Sequence, residues 1–585
     1  MDKLGFLLGQ YGVLALVVAA CWGWGETSLR LLKIDRDPAT RLGVPLAIAL
    51  GLGVGICVLQ GLAIAGQLTV RFVGLLIAAG VLLGAWQAFA HRSLVRRPAW
   101  RFGWQAMPPA DRWGLIAMAV VLLSTLTAPL PPPTHWDALM YHLPHAQQWA
   151  ASGHLTVNGW LRYPWFPYNF DLLYAGALLF DNDVLPHLLH ASAGWLTAWL
   201  IYRLGVQHLD RLTACVAASL WVLLARDEFT RAYVDMGVAL FVLVAGASFQ
   251  AWRTTDNRRW LLPCAFALGL AVGAKYQALT LLPLFAVGLI WRDRRPTTWL
   301  LVAGALLVPC IYWYGRNALL TGDPFNPMGG RLFGFTDWSA SDHHWQFEDL
   351  RRARGWPAWP LWPALAVPFI PTLRRSMAVR RALIMGGYMT LTWAVSVPYP
   401  RYLLSAYPVL VLLSAAGTVY LVRLVSTAIP ALRQRVVVKA AATLLLVYLA
   451  LTATAEVVRY WKRISPTPEA RAALLAQRVP GYPLWAHLKT HPVGRIYQLG
   501  SEDSLYYAPQ PIWGEVFGPW RYADYAPLPP AQLHHKLTQE HFDALAVHAE
   551  RFPGVASQSE FDRYFERVWT EGSVKLYKLK PPVAP

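Results

Sequence analysis

Runs of roughly 17 to 25 apolar residues, broken by short polar turns, recur along the first three quarters of the chain, which is the length a helix needs to cross hydrocarbon. The pattern predicts spans at about 5–23, 43–66, 69–90, 112–130, 184–204, 212–226, 235–253, 260–275, 277–292, 298–315, 357–371, 382–398, 402–423 and 437–458. Barrel strands would be about ten residues long with alternating polarity. No such alternation occurs, so an α-bundle is the spanning solution that remains.

After the last span the pattern changes. "RIYQLG", "SLYYAP", "DALAVH" and "SVKLYKLK" read as short strands, and "SPTPEARAALLAQRV" and "PLPPAQLHHKLTQEHF" as helices with Ser or Pro near their starts. The expected architecture is therefore an all-α polytopic membrane bundle of about 14 transmembrane helices carrying a small C-terminal α/β domain. Residues 1–111 form accessory N-terminal helices, 112–458 the membrane core with its first external loop at 131–183, and 459–585 the α/β domain. No internal repeat is present, which gives an inverted-repeat transporter little support.

The composition, 56% hydrophobic and 15% charged, agrees with this. The net charge of +19 does not point to nucleic acid, because most Arg and Lys lie in short loops between apolar runs. These loops alternate: Arg30, Lys33, Arg36 and Arg41; Arg92, Arg96, Arg97, Arg101 and Arg112; Arg203 and Arg211; Arg253, Arg258 and Arg259; Arg292, Arg294 and Arg295; Arg374, Arg375, Arg380 and Arg381; Arg423, Arg433, Arg435 and Lys439. They fall on one side, the cytoplasmic one. The opposite side receives 131–183, 226–235, 316–356, "VPYPRYLL" and everything after about 459. In the first of these loops, periodic apolar residues and the aromatics of "RYPWFPYNF" suggest short helices lying in the membrane interface.

The five cysteines all sit in or beside apolar runs, without a CxxC, so neither a structural disulfide nor a zinc site is expected. The N-terminal apolar run lacks a strong basic start and reads as a retained first helix.

Ionisable residues at the mouth of a bundle are costly and are functional candidates. They converge on the non-cytoplasmic side in "THWDALMYH", "RDEFTRAYVDMG", "GAKYQAL", "YGRNALLTGDPFNP" and "YPRYLL". Asp137 follows a helix end, with Tyr141, His142 and His145 at helical spacing behind it. It reads either as a general base for an attacking hydroxyl or as the N-cap of a helix beginning near Ala138. Asp235 opens an apolar run behind Asp227, Glu228 and Arg231, and a helix dipole would suit it equally well. Lys275, Arg316 and Arg401 occupy ends of spans where the positive-inside bias does not explain them. They read as a grip for a phosphate ester or as snorkelling toward headgroups.

The histidines raise a metal site, but there is no HExxH. A divalent cation such as Mg or Mn, held by Asp137 or Asp235, is the better candidate. "AVGAKYQALT" lacks the glycines and the Ser/Thr of a phosphate loop. Most of the Tyr and Trp form an interface belt, with a few available to stack on a sugar.

In order and topological side, "HWDALMYHLPHAQQWAASGHL", "AYVDMGVALF", "GLAVGAKYQALTLLP", "RNALLTGDPFNP" and "PRYLLSAYPVLVLLSA" resemble the C-type (GT-C) glycosyltransferase superfamily over about residues 112–423. The likeness is to proteins grouped with the protein O-mannosyltransferases, the lipid A aminoarabinose transferases and the rhizobial lipopolysaccharide glycosyltransferases. The resemblance implies an inverting transfer of a hexosyl or pentosyl unit from a polyprenyl-phosphate donor to a lipid, glycan or protein acceptor at the periplasmic face of a bacterial inner membrane. It implies Asp137 as the base, Asp235 as a second catalytic acid, and Lys275, Arg316 and Arg401 on the donor phosphate. Tyr141, His142, His145, Arg231 and Asn317 would then contact substrate. The chain departs from the pattern in having Ala138 where many relatives place a second acid, and three spans before the helix that precedes Asp137. A transporter or flippase of lipid-linked glycans, and a non-catalytic envelope-assembly subunit, remain as alternatives.

Overall fold

The computed structural model describes residues 2–34, 42–90, 103–429 and 435–581. Of the basic positions counted above, Arg36, Arg41, Arg92, Arg96, Arg97, Arg101 and Arg433, with the side chain of Arg435, lie outside the described residues.

Three apolar helices open the chain, α1 (Lys3–Leu31), α2 (Gly43–Ile64) and α3 (Val70–Ala90). A Cβ on Gly25 would stand 1.7 Å from the Ala47 carbonyl oxygen, and one on Gly51 would stand 1.7 Å from that of Cys21. α1 and α2 therefore touch backbone to backbone, the close packing that small residues permit between membrane helices.

α4 (Pro109–Leu123) leads into the first long loop. This loop holds a π-helical turn at Ala138–His142, then α5 (Leu143–Ser152) and α6 (Asp171–Leu178). These short helices pack into the protein's own core. Trp149 of α5 and nearly all of α6 are buried in the main core. The periodicity marked a buried face and could not distinguish protein from lipid as its cover.

The bundle continues through α7 (Leu185–His208), α8 (Arg211–Leu224), α9 (Asp235–Thr255), α10 (Leu261–Val272), α11 (Leu282–Ile290), α12 (Pro296–Leu307) and α13 (Ile311–Thr321). The expected span 298–315 is not one helix. α12 and α13 meet at 76° across a break containing Pro309, which has no N–H to continue the ladder. A four-residue turn, α14 (Gly330–Phe333), precedes α15 (Ala340–Arg352), which opens on a capping box between Ser339 and Asp342.

The expected span 357–371 is instead a 3-10 helix, Trp359–Phe369, with prolines inside it. At about 2.0 Å per residue it reaches roughly 22 Å, short of the hydrocarbon thickness. α16 (Pro371–Arg374), α17 (Met377–Val395), α18 (Tyr407–Ala428) and α19 (Arg435–Arg463) complete the bundle.

Each of the fourteen apolar runs is helical, but among the described residues six helices are long and apolar enough to cross a membrane alone, or seven with the bent α12–α13 pair. The others are short or broken. The chain is a multi-pass membrane protein with a helical bundle.

Beyond α19, α20 (Pro468–Arg478), α21 (Tyr482–Leu488), α22 (Pro530–Gln539) and the short α23 (Phe561–Tyr564) surround a five-stranded sheet. Its strands are β1 (Ile496–Leu499), β2 (Ile512–Trp513), β3 (Ala544–His548), β4 (Phe565–Glu571) and β5 (Val574–Leu579), in the order β2-β1-β3-β5-β4. β1 runs parallel to β2 and β3, while β5 is antiparallel to β3 and β4. "SLYYAP" is not a strand. Residues 502–507 form a 3-10 turn whose Tyr507 hydroxyl donates to the Pro133 carbonyl at 2.7 Å, which fastens the unit to the first loop. The largely buried ion pair Arg162–Glu515 and the half-buried pair Arg471–Asp183 reinforce that joint.

Candidate active site

The backbone over Asp137 is already helical, and its side chain makes no capping hydrogen bond. The capping role is therefore absent, and the carboxylate is free to face elsewhere. The π-helical turn that follows closes with Leu143 N–H donating to the Ala138 carbonyl. Such turns widen a helix and re-aim side chains, frequently at functional sites. Here Asp137, Tyr141 and His142 all line the same cavity.

Asp137 Oδ2 accepts from Arg401 Nη2 at 2.5 Å. Asp235, at the first position of α9, accepts from Lys275 Nζ at 2.5 Å and lies 3.7 Å from Arg401 Nε. Two acids and two bases from four distant segments thus alternate as Asp137, Arg401, Asp235, Lys275. Arg401 reaches the site from a 3-10 turn (Pro400–Ser405), and Lys275 from the extended residue between α10 and the 3-10 turn Tyr276–Leu281.

Aromatic faces hold both cations. Arg401 lies 4.6 Å from the centre of the Tyr233 ring, and Lys275 4.4 Å from that of Tyr402. Nε of Arg401 is buried and without a hydrogen bond, leaving a donor for an anionic ligand. Burial alone would raise the Asp137 carboxyl, but the Arg401 guanidinium and His142 more than offset it and hold the group below the ordinary carboxylate value.

The cavity measures about 850 Å³, in the range that encloses a small-molecule ligand. Tyr163, Phe166 and Tyr276 give it aromatic walls, and Arg162, Phe517 and Arg521 close its outer side. A second cavity of about 210 Å³ shares Lys275, Tyr276 and Tyr402 and runs past Val238, Leu281 and Met389 between α9 and α17. It joins the polar site to an apolar passage.

The other sequence candidates divide. Tyr141 and His142 line the cavity. His142 Nδ1 is fixed at 2.6 Å by Asp171 Oδ1, whose own carboxyl is raised by burial and partly restored by that contact. His145 does not line it. It is buried, bonded at 3.0 Å to the Arg162 carbonyl, and burial pushes it down to about 3.

Arg231 pairs with Glu228 and faces an adjoining cavity that also holds Asp137 and Arg401. Arg316 is not at the cavity. The bend before α13 carries it into a buried nest of Trp165 and Trp313, where its guanidinium donates to Asn317 Oδ1. Asn317 Nδ2 in turn donates to the Trp165 carbonyl at 2.8 Å and stands 3.3 Å from the Tyr276 hydroxyl. Both residues support the wall from behind.

Sequence reasoning missed Tyr233, Tyr402 and Asp171, and it missed the external unit's share of the cavity, Glu502, Phe517, Arg521 and Tyr522. "YPRYLL" and "AYVDMG" each carry a Tyr beside a charged residue, but Tyr402 lies under Lys275 and Tyr233 under Arg401, so each contact joins remote segments. Nothing in the external unit's sequence betrays its reach.

A divalent cation fits this arrangement poorly. Arg401 stands between the two carboxylates, Lys275 takes the other Asp235 oxygen, and no cluster of three or more metal-ligating side chains occurs among the described residues.

Similarity to known proteins is partial in sequence and broader in structure. A family model described as SF2091/S2213 matches residues 470–578. Two uncharacterized Shigella flexneri proteins also match. SF2093/S2215 is 26% identical over 130 residues, 22% of this chain and 65% of that protein. SF2092/S2214 is 39% identical over 54 residues, 9% of this chain and 30% of that protein. The chain thus spans less than two thirds of either relative. The structure of ArnT from Cupriavidus metallidurans, in the apo state, superposes over 79% of this chain and 97% of its own, with a TM-score of 0.52 and 14% identity. The chain shares the fold of that ArnT structure.

Proposed function

We propose that the protein transfers a sugar from a polyprenyl-phosphate donor to an acceptor hydroxyl at the periplasmic face of a bacterial inner membrane. The observation that carries this reading is the alternating chain of Asp137, Arg401, Asp235 and Lys275, of which Asp137, Arg401 and Lys275 line the large cavity while Asp235 and Lys275 line the smaller one beside it. The apolar passage beside Lys275 suits a polyprenyl chain, and the aromatic walls suit a sugar.

In this mechanism the donor phosphate binds Arg401 and Lys275, taking up the unused Nε donor. The phosphate then replaces Asp137 as partner of Arg401 and frees the carboxylate when a base is needed. The acceptor oxygen attacks the anomeric carbon as the bond from that carbon to the phosphate oxygen breaks. The bonding pair leaves with polyprenyl phosphate, whose charge the two cations neutralise, and Asp137 takes the hydroxyl proton. Attack opposite the leaving phosphate inverts the anomeric centre. Asp235 orients both cations. No step uses a metal ion.

Mass spectrometry of envelope glycolipids and glycoproteins from a deletion strain, complemented with wild type or Asp137→Asn, tests the assignment. The expected result is a glycan modification restored by wild type and absent with the variant at equal membrane levels. Full restoration by Asp137→Asn overturns it.

A further inference from the structure

A second groove, of about 680 Å³, opens on the flank of the bundle between α9, α11, α17 and α18. Its walls are apolar, with Leu243, Phe249, Phe285, Met385 and Leu413 among them. It lies toward the end of α9 opposite the candidate active site, since Asp235 and Arg253 are separated by about 27 Å of helical rise. Exposed Ile384 and Trp291 flank it.

The mouth of the groove is polar and cationic. Arg253, Arg381, Gln250 and His208 line it, and Arg381 Nη1 donates to Gln250 Oε1 at 2.7 Å, which holds that guanidinium over the opening. Neither Arg253 nor Arg381 forms an ion pair among the described residues. The acid whose charge reaches Arg253 is Asp256, and Arg292 already pairs with it at 2.9 Å. Arg253, Arg292 and Arg381 all interact by like-charge repulsion. Such a cluster gains from an anion, and Arg pairs suit phosphate. An anion bound here has an apolar trough directly beneath it.

A membrane component with both features is an anionic glycerophospholipid. We propose that this groove binds one, with its phosphate against Arg253 and Arg381 and an acyl chain along Phe249, Phe285 and Met385. The basic groove between spanning helices is a surface that such headgroups recognise. A zwitterionic lipid would leave the cluster's charge uncompensated. A polyprenyl-phosphate donor would find Lys275 and Arg401 at the other end of α9, so this is a separate site and does not depend on the proposed transfer reaction.

Native mass spectrometry of the full chain, released from nanodiscs containing equal phosphatidylethanolamine and phosphatidylglycerol with a trace of polyprenyl phosphate, tests the site. The expected result is one retained phosphatidylglycerol. Its occupancy falls roughly tenfold or more in the Arg253→Gln/Arg381→Gln double variant. It also falls in Ile384→Trp, which narrows the groove from an exposed position and keeps both arginines should the double variant not fold. Equal retention of the two glycerophospholipids, retention unchanged in Ile384→Trp, or polyprenyl phosphate lost in place of phosphatidylglycerol overturns the assignment.

Discussion

Arg401 touches Asp137 through Nη2 at 2.5 Å and faces Asp235 through Nε at 3.7 Å, so one guanidinium serves two acids that lie 98 positions apart in the chain. Removing it leaves two carboxylates without a shared counter-charge in a mostly buried wall. Arg401→Gln is expected to cost about 1–3 kcal/mol of stability, less than a fully buried pair because both partners keep some solvent contact. It should abolish transfer. Arg401→Lys should recover most of the thermal stability but little activity, since an ammonium cannot span both acids. Thermal shift and a transfer assay on the two variants check this, and activity retained by Arg401→Gln would contradict it.

Lys275 and Asp235 form the second ion pair of the site. Each single neutral variant strands a charge, whereas Lys275→Met/Asp235→Asn removes both. The double variant is expected to be more stable than either single one by about 1–3 kcal/mol, yet inactive. Restored stability with lost activity separates the structural role of the pair from its chemical one. A double variant no more stable than the singles would argue against the coupling.

Much of this geometry was legible beforehand, and for definite reasons. An ionisable residue at the end of an apolar run is expensive wherever it faces, so Asp137, Asp235, Lys275 and Arg401 stood out against their surroundings. Arg316 stood out for the same reason but reached a different place, because Pro309 breaks α12 from α13 and the pattern of apolar residues runs straight through the break. The proline-rich 357–371 run misled in the same way: composition measured its apolarity but not its rise per residue. The role of Tyr233 and Tyr402 under the cations, and of Phe517 and Arg521 over the cavity, depends on contacts between remote segments. No local pattern records these.

Asp137 and Glu228 should respond to pH in opposite senses. The Asp137 carboxyl is held below its ordinary value against the pull of burial. It contributes stability above the unfolded value near 4 and loses it only as pH falls through its lower folded value. Burial first, then Asp235, pushes Glu228 up to about 7 despite Arg231. A raised carboxyl contributes stability that is complete below its unfolded value near 4.3 and is lost as pH rises toward and past 7. Wild-type melting temperature should therefore decline between pH 5 and 8, and Glu228→Gln should flatten that decline. The acid limb of the kcat/KM profile, which reports the free enzyme, should follow the lowered Asp137 carboxyl and lie on the acid side of an ordinary aspartate. An unchanged slope in Glu228→Gln would refute the assignment.

The position of Arg401 between the two acids also bears on metal dependence. A divalent ion would have to displace a guanidinium bound at 2.5 Å. Incubation of purified protein with EDTA, followed by transfer assay, is expected to leave the rate within about twofold of untreated enzyme, a difference under 0.5 kcal/mol in barrier. Loss of activity restored by Mg or Mn would show instead that the donor brings an ion with it.

The external unit closes the outer side of the cavity through one buried ion pair, Arg162 with Glu515, backed by Arg521 on Asp342 at 2.8 Å and by Arg551, whose guanidinium lies 4.6 Å from the ring centre of Trp136. Trp136 is the residue before Asp137, so the unit presses on that carboxylate through its neighbour. Glu515→Gln leaves Arg162 buried without its charge partner, a change that costs about 3–5 kcal/mol at a buried site. The unit should then loosen from the bundle before either part unfolds. Limited proteolysis is expected to cleave the 464–467 connection faster than in wild type, with transfer reduced in parallel. Arg162→Met/Glu515→Met, which removes both charges, should restore protease resistance. If cleavage stays at the wild-type rate in Glu515→Gln, the ion pair does not hold the unit in place, and the wall formed by Phe517 and Arg521 is anchored by Tyr507 and Arg471 instead.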